Sequence, residues 1–190
     1  MKTGKVLYFF LYFIISIAEA KEIKFPKRES AIFAAGCFWG VEEFFRKVDG
    51  VFETGVGYSG GKTANPTYHE VSGGKTGHAE AVEVIFDPKK VSYEKLLDLF
   101  FKMHDPTTLN AQGNDQGTQY RSVIFYRNDS QKKIATDFLK KVEQSKAWKR
   151  PITTELAAAG KFYEAEEEHQ KYLQRNPKGY DNHYLRKLSF

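Results

Sequence analysis

The chain has 190 residues, 41% of them hydrophobic, a size that suits one domain with one core. Its formal net charge at pH 7 is +5, but no run of five or more like charges occurs, which argues against a nucleic-acid-binding surface. The single cysteine, Cys37, excludes an internal disulfide framework and a cysteine-based zinc site, and the five histidines show no paired metal-ligand spacing, so we expect neither a metal nor another cofactor.

The N-terminal segment has the organisation of a secretory signal peptide. Two lysines precede an apolar run over residues 6–18, and small residues follow it before Lys21. The run is shorter than the roughly 20 residues that a membrane-spanning helix needs. We therefore expect residues 1–20 to be removed and residues 21–190 to form one exported domain, periplasmic or secreted, with no stable membrane span. Glu19 is unusual beside a cleavage site, so an uncleaved N-terminal anchor is the alternative.

Periodicity and turn signals predict alternating strands and helices along the rest of the chain. The predicted strands span residues 31–35, 51–58, 78–86, 122–126 and 152–158. The predicted helices lie at about 37–48, around 93–101, after the capping residues 128–130, and around 164–173. Beyond residue 177 the tail is polar and aromatic, with weak periodicity. Several strands are joined by loops rather than by helices, so we predict an α+β domain in which helices pack on a mixed sheet.

Cys37 lies where a strand-like apolar run gives way to a helical pattern, within Gly36-Cys37-Phe38-Trp39-Gly40. A helix start offers unpaired backbone N–H groups and the positive end of the helix dipole, so we expect the sulfur to form a reactive thiolate. The alternative is a small buried hydrophobic residue, the more common role of a lone cysteine. Phe38 and Trp39 are predicted to place at least one ring beside the sulfur, as the wall of a small apolar pocket; the alternative for both rings is the core.

Glu80 is the acidic residue that the strand pattern places best to assist the sulfur. The side-chain period of two puts Glu80 on the apolar face of its strand with Val82 and Val84, whereas Glu83 points to the opposite face. Burial raises the pKa of a carboxyl group, which then holds a proton at neutral pH as a general acid must. We therefore predict that Glu80 is a general acid; the alternative is a glutamate that leans into solvent at the strand end.

Three loops are rich in glycine or polar residues. Residues 59–63 and 72–76 both read Ser-Gly-Gly-Lys-Thr, but each lacks the first glycine of a phosphate-binding loop. We therefore interpret both as flexible turns on either side of Tyr68 rather than as a nucleotide site. The polar loop 110–121 runs directly into a strand, and such loops often carry substrate contacts; an ordinary surface connection is the alternative.

Five segments, in order along the chain, share their residues with one known family. They are Gly36-Cys37-Phe38-Trp39-Gly40; Tyr58-Ser59-Gly60-Gly61 with Asn65-Pro66-Thr67-Tyr68; Gly77-His78-Ala79-Glu80-Ala81; Gly113-Asn114-Asp115-Gln116-Gly117-Thr118-Gln119-Tyr120-Arg121-Ser122; and Glu168-His169-Gln170-Lys171-Tyr172-Leu173. On these segments the chain resembles, from about Ala31 to Tyr180, the peptide-methionine (S)-S-oxide reductases, the A type of methionine sulfoxide reductase. The resemblance implies a ferredoxin-like two-layer α/β sandwich with a mixed sheet, and a role in the repair of oxidised proteins.

The resemblance also implies roles for individual residues. Cys37 attacks the sulfoxide sulfur, Glu80 donates a proton to the departing oxygen, and Cys37 is left as a sulfenic acid. Hydroxyl groups bind the oxygen, aromatic rings hold the methyl group, and a carboxylate organises the polar groups of the pocket. The residues implied for these three tasks are Tyr68 and Tyr120, Phe38 and Trp39, and Asp115, respectively. The implied substrate is methionine S-sulfoxide, in proteins or as the free amino acid.

The chain departs from many members of this family at the step that regenerates the enzyme. Those members carry a resolving cysteine soon after a Pro-x-Gly-Tyr stretch, whereas here Asp181 follows Pro177-Lys178-Gly179-Tyr180 and no second cysteine exists. The expected reductant is therefore an external thiol, either a thioredoxin-like protein or a small molecule. Two alternatives remain at this point: a thiol peroxidase that works through the same sulfenic acid, and a non-enzymatic exported module that binds oxidised or apolar peptides.

Overall fold

The computed structural model describes residues 27–190, so the predicted signal peptide lies outside the described residues. The described part contains eight strands and five α-helices. In chain order they are β1 (Glu29–Ala35), α1 (Phe38–Arg46), β2 (Val51–Ser59), α2 (Tyr68–Ser72), β3 (Ala79–Phe86), α3 (Tyr93–Met103), β4 (Ala111–Gln112), β5 (Asp115–Gln116), β6 (Ser122–Tyr126), α4 (Asp129–Ser145), β7 (Glu155–Ala158), β8 (Tyr163–Glu164) and α5 (Tyr172–Arg175).

Six of the strands form one sheet in the order β7-β6-β1-β3-β2-β8. The β6 and β7 pair is parallel, and the other neighbours are antiparallel, so the predicted mixed sheet is confirmed. The four central strands, together with α1 and α3, follow the β-α-β-β-α-β sequence of a ferredoxin-like fold. Strands β4 and β5 form a separate two-stranded hairpin.

The main hydrophobic core lies between one face of the sheet and the helices α1, α3 and α4. Alternate residues of β1 and β3, such as Phe33, Val82 and Val84, are fully buried on this face. The ring of Phe33 stacks on Phe45 of α1 with 4.8 Å between centroids. The opposite face has a smaller cluster, to which Phe162 contributes from the connection before β8. This asymmetry gives the domain its two layers, helices on one side and a thinly covered sheet on the other.

Three of the helices, α2, α3 and α4, begin at residues whose side chains accept backbone hydrogen bonds. Asn128 caps α4 by accepting from the N–H of Gln131 at 2.9 Å, which confirms the capping predicted at 128–130. Thr67 caps α2 by accepting from the Glu70 N–H. The Glu70 carboxylate in turn accepts from the Thr67 N–H, which completes a capping box. Helix α2 was not predicted, because its 5 residues are too few to show helical periodicity.

The predicted helix at 164–173 is wrong over most of its length. Its first residue belongs to β8, which pairs with the edge of β2, and only its last two belong to α5. Gln170 explains the difference, because its side chain binds both the N–H and the carbonyl of Val56 in β2, each at 2.9 Å. The N–H of Ala165 also donates to the carbonyl of Val56, at 3.0 Å. These hydrogen bonds to the sheet edge replace those of a helix.

The C-terminal segment after α5 forms no helix or strand, but it packs closely on the domain. The backbone N–H groups of Tyr184 and Arg186 donate to the carbonyls at the end of α3, at 3.3 and 3.0 Å. Phe190 packs edge-on against Phe101 and Phe138. Between residues 27 and 190 the structure contains no helix that is both long and apolar enough to cross a membrane.

Candidate active site

Cys37 lies between β1 and α1, at the N-cap position of the helix, with a free thiol and 8% of its surface exposed. The chain turns there through Gly36, whose φ of +96° is in the region that favours glycine. A Cβ on Gly36 would also lie 2.5 Å from Cγ of Gln112. The glycine before the sulfur therefore permits both the turn and the close approach of the β4–β5 hairpin.

The thiol of Cys37 is neutral in the ligand-free protein, contrary to the predicted thiolate. Burial raises its pKa well above the ordinary value, and the charges of Glu80, Asp115 and Asp181 add to that effect. The backbone N–H of Trp39 in the first turn of α1 lowers the pKa, but it does not compensate for burial. The helix start thus acts on the sulfur as predicted, while its burial, which the sequence motif does not reveal, is the larger effect.

Glu80 is buried beneath the N-terminus of α1, with 2% of its surface exposed. It lies on the helix-facing side of β3 with Val82 and Val84, as its position in the strand predicts. Its Oε2 accepts a hydrogen bond from the Phe38 N–H at 3.0 Å. The pKa of Glu80 is raised to about 8, mainly by burial and in part by the charge of Asp115, while the hydrogen bond from the Phe38 N–H opposes both. The carboxyl group is therefore mostly protonated at pH 7.

Tyr68 and Tyr120 supply two hydroxyl groups to the same site. Both side chains are half-buried. Burial raises the pKa of both phenols, and the neighbouring carboxyl groups of Glu80 and Asp115 raise it further. Both hydroxyls therefore keep their protons and can donate hydrogen bonds.

Glu166 fixes the start of helix α2, which carries Tyr68. Its Oε1 accepts from the Tyr68 N–H and its Oε2 accepts from the Tyr58 hydroxyl, both at 2.8 Å. Partial burial raises its pKa, but these two hydrogen bonds lower it more, so the net shift is downward. Glu166 is thus an ionised anchor for Tyr68 rather than a proton donor.

The predicted aromatic wall is present and is larger than the sequence motif indicates. Phe38 is 1% exposed, whereas Trp39 is half-buried and stacks on Tyr172 with 3.9 Å between centroids. His169 lies between the rings, 5.4 Å from Phe38 and 4.4 Å from Tyr68. The Trp39 Nε1 has no hydrogen-bond partner within residues 27–190, although indole N–H groups usually find one.

Asp115, in the short strand β5, has both carboxylate oxygens occupied by the C-terminal segment. Its Oδ1 accepts from the Tyr180 hydroxyl at 2.9 Å, and its Oδ2 accepts from Asn182 Nδ2 at 2.8 Å. Asn182 Nδ2 also donates to the Gln112 carbonyl at 2.8 Å. Asp115 thus joins the hairpin to the tail, and its role in organising the polar groups of the pocket stays a prediction.

The tail continues across the β1–α1 turn. His183 is buried, with Nε2 2.7 Å from the Ala35 carbonyl oxygen and Nδ1 3.1 Å from Oδ1 of Asp181. Gly40, the second glycine of the cysteine motif, leaves room for this packing, because a Cβ there would collide with Asp181 and His183. Sequence reasoning missed the tail, and the glycine at position 40 was the available signal.

A second polar cluster, separate from the groups around Cys37, lies inside the core. His104 is 1% exposed and Ser122 is 5% exposed, and their side chains meet with 2.8 Å between Nε2 and Oγ. Burial lowers the pKa of His104 to about 3, so this histidine is neutral. The pair has the composition of a nucleophile and its base, but it is sealed from substrate and serves the core. No group of three or more His, Cys, Asp or Glu side chains in the described part of the chain is arranged to hold a metal ion.

The site brings together all seven residues singled out from the sequence: a thiol, a protonated carboxyl, two phenols, two aromatic rings and a carboxylate. Phe38 N–H binds Glu80, and the charges of Glu80 and Asp115 act on the sulfur of Cys37 and on the phenol of Tyr68. Such a site suits a small group that has an apolar side for the rings and a strong acceptor oxygen for the donors.

Comparisons with known proteins agree with this geometry. A family model described as peptide methionine sulfoxide reductase matches residues 29–189. A peptide methionine sulfoxide reductase MsrA from Methanothermobacter thermautotrophicus is 58% identical over 150 residues, covering 79% of this chain and 89% of the relative. Reduced Mxr1 from Saccharomyces cerevisiae superposes with a TM-score of 0.79 at 40% identity, covering 85% of this chain and 93% of that one. Mxr1 in complex with Trx2 superposes with a TM-score of 0.58 at 29% identity, covering 88% and 97%. The chain belongs to the peptide methionine sulfoxide reductase family of oxidoreductases.

Proposed function

We propose that this enzyme reduces methionine S-sulfoxide, in proteins and as the free amino acid, at Cys37, and that an external thiol then regenerates it. The observation that carries the proposal is the protonated carboxyl of Glu80, buried against the turn that bears the thiol. A proton held at neutral pH beside a nucleophile is what the reduction of a sulfoxide requires. Membership of the family and the aromatic wall support the same substrate.

The reaction transfers one oxygen atom between two sulfur atoms. The sulfur of Cys37 attacks the electropositive sulfoxide sulfur and gives up its proton as it does so, because the resting thiol is neutral. Glu80 donates its proton to the sulfoxide oxygen, and Tyr68 and Tyr120 stabilise that oxygen by hydrogen bonds. The hydroxyl then passes to the Cys37 sulfur while the bonds from the substrate sulfur to that oxygen and to Cys37 break, so the substrate leaves as methionine and Cys37 is left as a sulfenic acid. The proton that Cys37 gave up restores the protonated form of Glu80. Sulfoxide and thiol are thus converted to thioether and sulfenic acid with atoms and electrons balanced.

The arrangement of rings and donors distinguishes the two sulfoxide epimers. In the bound S epimer the methyl group lies against Phe38 and Trp39 while the oxygen faces Tyr68, Tyr120 and Glu80. The R epimer exchanges these two groups, which places an acceptor oxygen against the rings and leaves buried donors without partners. A site built on hydrogen-bond donors rejects such a ligand strongly.

The external reductant follows from the sequence, since Cys37 has no second cysteine with which to form an intramolecular disulfide. Two thiol equivalents return the sulfenic acid to the thiol and leave as a disulfide. The complex of yeast Mxr1 with Trx2 supports a thioredoxin as one source of that thiol.

The test uses free methionine sulfoxide separated into its epimers, with dithiothreitol as the reductant. We expect the purified protein to convert the S epimer to methionine and to leave the R epimer unchanged. The Cys37→Ser variant is expected to have no activity while it retains the fold, as judged by circular dichroism. Binding of sulfoxide without formation of methionine would indicate a binding module, and peroxide reduction without sulfoxide reduction would indicate a thiol peroxidase; either result contradicts the proposal.

We further propose that the enzyme acts outside the cytoplasm, periplasmic or secreted. The support is the sequence of residues 1–20, which has the charge, apolar length and small residues of a signal peptide. Intact-mass measurement of the exported protein is expected to find a chain that begins at Lys21. A mass that includes Met1 would favour the anchored alternative.

A further inference from the structure

We propose that the thiol that reduces oxidised Cys37 is neutral or cationic, and that thiols with a negative charge near their sulfur are poor reductants of this enzyme. The proposal rests on the function proposed above and concerns only its second half, the regeneration of Cys37. The charges near the Cys37 sulfur indicate the chemical class of this co-substrate.

Cys37 is nearly closed to solvent. Cys37 is 8% exposed, and it is the only cysteine of the chain, so the reductant must bring its own sulfur to this position. The C-terminal segment forms part of the surroundings of Cys37, because His183 binds the Ala35 carbonyl and Asp181 lies against Gly40.

Two carboxyl groups from different parts of the chain lie near Cys37. Asp115 belongs to the β4–β5 hairpin, whose Gln112 lies against Gly36, the residue before Cys37. Asp181 belongs to the tail and lies against the first turn of α1, which begins one residue after Cys37. Both positions are fixed by hydrogen bonds, Asp115 to Tyr180 and Asp181 to the His183 N–H at 2.8 Å.

None of the charged groups that act on the Cys37 thiol is a cation: they are the carboxyl groups of Glu80, Asp115 and Asp181, of which Glu80 is mostly protonated at pH 7. Arg46 and Lys47 line the same surface pocket as Asp181, but each is paired with Glu43. His183 pairs with Asp181, but the His183 side chain is 0% exposed whereas 29% of the Asp181 side chain is exposed. A solute at the surface therefore meets the carboxylate of this pair and not the imidazole.

The charge near Cys37 is negative, opposite in sign to the net charge of the whole chain. The formal net charge of +5 would attract anionic thiols to the protein. Charges within a few ångströms of the reacting sulfur act more strongly than distant ones, which salt screens. Control by the net charge would make anionic thiols react faster, whereas control by the charges near the sulfur makes cationic thiols react faster.

The chemical step is a displacement at the Cys37 sulfur. The thiolate of the reductant forms a bond to that sulfur, the S–O bond breaks, and the departing hydroxide takes a proton to leave as water. A second thiol then attacks the mixed disulfide, which releases Cys37 as a thiol and the reductant as its disulfide. Both attacks bring a thiolate next to Asp181, so a further negative charge on the reductant slows each of them.

The experiment separates the two half-reactions. The protein is first treated with methionine S-sulfoxide and no reductant, and both the methionine formed and the oxygen gained by Cys37 are measured by mass spectrometry. Failure here contradicts the proposed function, not this inference. The oxidised protein is then mixed with cysteamine, 2-mercaptoethanol or 2-mercaptoethanesulfonate, and each rate constant is expressed per thiolate. Each is divided by the rate constant of the same thiol with a small neutral disulfide, which removes the intrinsic reactivity of that thiol.

We expect the order cysteamine, then 2-mercaptoethanol, then 2-mercaptoethanesulfonate. The ratio of the first rate constant to the last is expected to fall about fivefold in Asp181→Asn, which removes one charge but keeps an oxygen for the His183 N–H. Asp137→Asn is the matched control, because it removes the same charge from an exposed ion pair with Lys133 on α4 and should leave the ratio unchanged.

A second measurement needs no variant. In the wild-type protein the ratio is expected to decrease towards one at about 1 M salt, where the screening length is ~3 Å. Equal ratios in the wild type and Asp181→Asn, a ratio that does not respond to salt, or a faster reaction with the sulfonate than with cysteamine would each overturn the proposal.

Discussion

Glu42 and Glu80 are two buried carboxyl groups of the same domain, 1% and 2% exposed, that differ in their hydrogen-bond donors. Glu42 accepts from the Thr54 hydroxyl at 3.0 Å and from the Lys171 N–H at 2.7 Å. Within residues 27–190, Glu80 accepts only from the Phe38 N–H. Burial raises the pKa of both, but Thr54 and Lys171 oppose it at Glu42, whereas the pKa of Glu80 reaches about 8. Burial alone therefore does not identify an acid catalyst; a buried carboxyl with too few donors does.

The largest effect expected from this difference is on catalysis. Glu80→Gln removes the proton donor and is expected to lower the rate of methionine formation by a factor on the order of 10² or more, the usual size of a general-acid contribution. Glu42→Gln should leave that rate nearly unchanged, since Glu42 binds structure and not substrate. Steady-state kinetics with the S epimer measure both. Full activity in Glu80→Gln would contradict the assignment of the acid.

The same pair of variants is expected to differ in the opposite sense in stability. Glu42→Gln replaces one of the two acceptor oxygens by an NH₂ that faces a donor, and the free energy of unfolding should fall by about 2 kcal/mol. Glu80→Gln should change it little at pH 7, because glutamine resembles the protonated carboxyl already present there. Urea denaturation at pH 7 compares the two. The comparison fails if Glu80→Gln loses as much stability as Glu42→Gln.

A smaller effect is expected at the phenols that share the oxygen site with Glu80. Tyr68→Phe and Tyr120→Phe each remove one hydrogen bond to the sulfoxide oxygen and should lower kcat/KM about tenfold. Tyr93→Phe is the control, because its buried hydroxyl has no partner in the described part of the chain and lies in the main core. If Tyr93→Phe loses as much activity as the other two, the hydroxyls have no specific role at the oxygen.

Glu80 could be predicted from sequence, and Glu42 could not, for a physical reason. The period of two along β3 fixes which face Glu80 occupies, and the apolar neighbours on that face imply burial. One donor to Glu42 comes from β2, and the other is the N–H of Lys171, which lies 129 residues further along the chain. No local pattern reveals either donor. The five strands of four or more residues and the three long helices were predictable for the same local reason, whereas β4, β5 and β8, of 2 residues each, were not predicted.

The surroundings of Cys37 show the limit of the sequence motif more clearly. The motif places the sulfur at a helix start, but it does not report how far the tail and the β4–β5 hairpin bury it. Residues 180–183 lack periodicity, and they gain their structure from contacts with Asp115, Ala35 and Gln112. Tertiary contacts of this kind made the thiol neutral where the local pattern predicted a thiolate.

The most direct test of the central claim is the pH dependence of a single turnover. Methionine is measured with enzyme in excess over the S-sulfoxide and without reductant, from about pH 6 to about pH 10, for the wild type and Glu80→Gln. Protonated Glu80 is the active form and loses its proton as the pH rises, so the wild-type rate should fall with a midpoint at about pH 8. The slower variant should show no such fall. A wild-type rate that does not decrease above pH 8, or the same decrease in Glu80→Gln, would contradict the account.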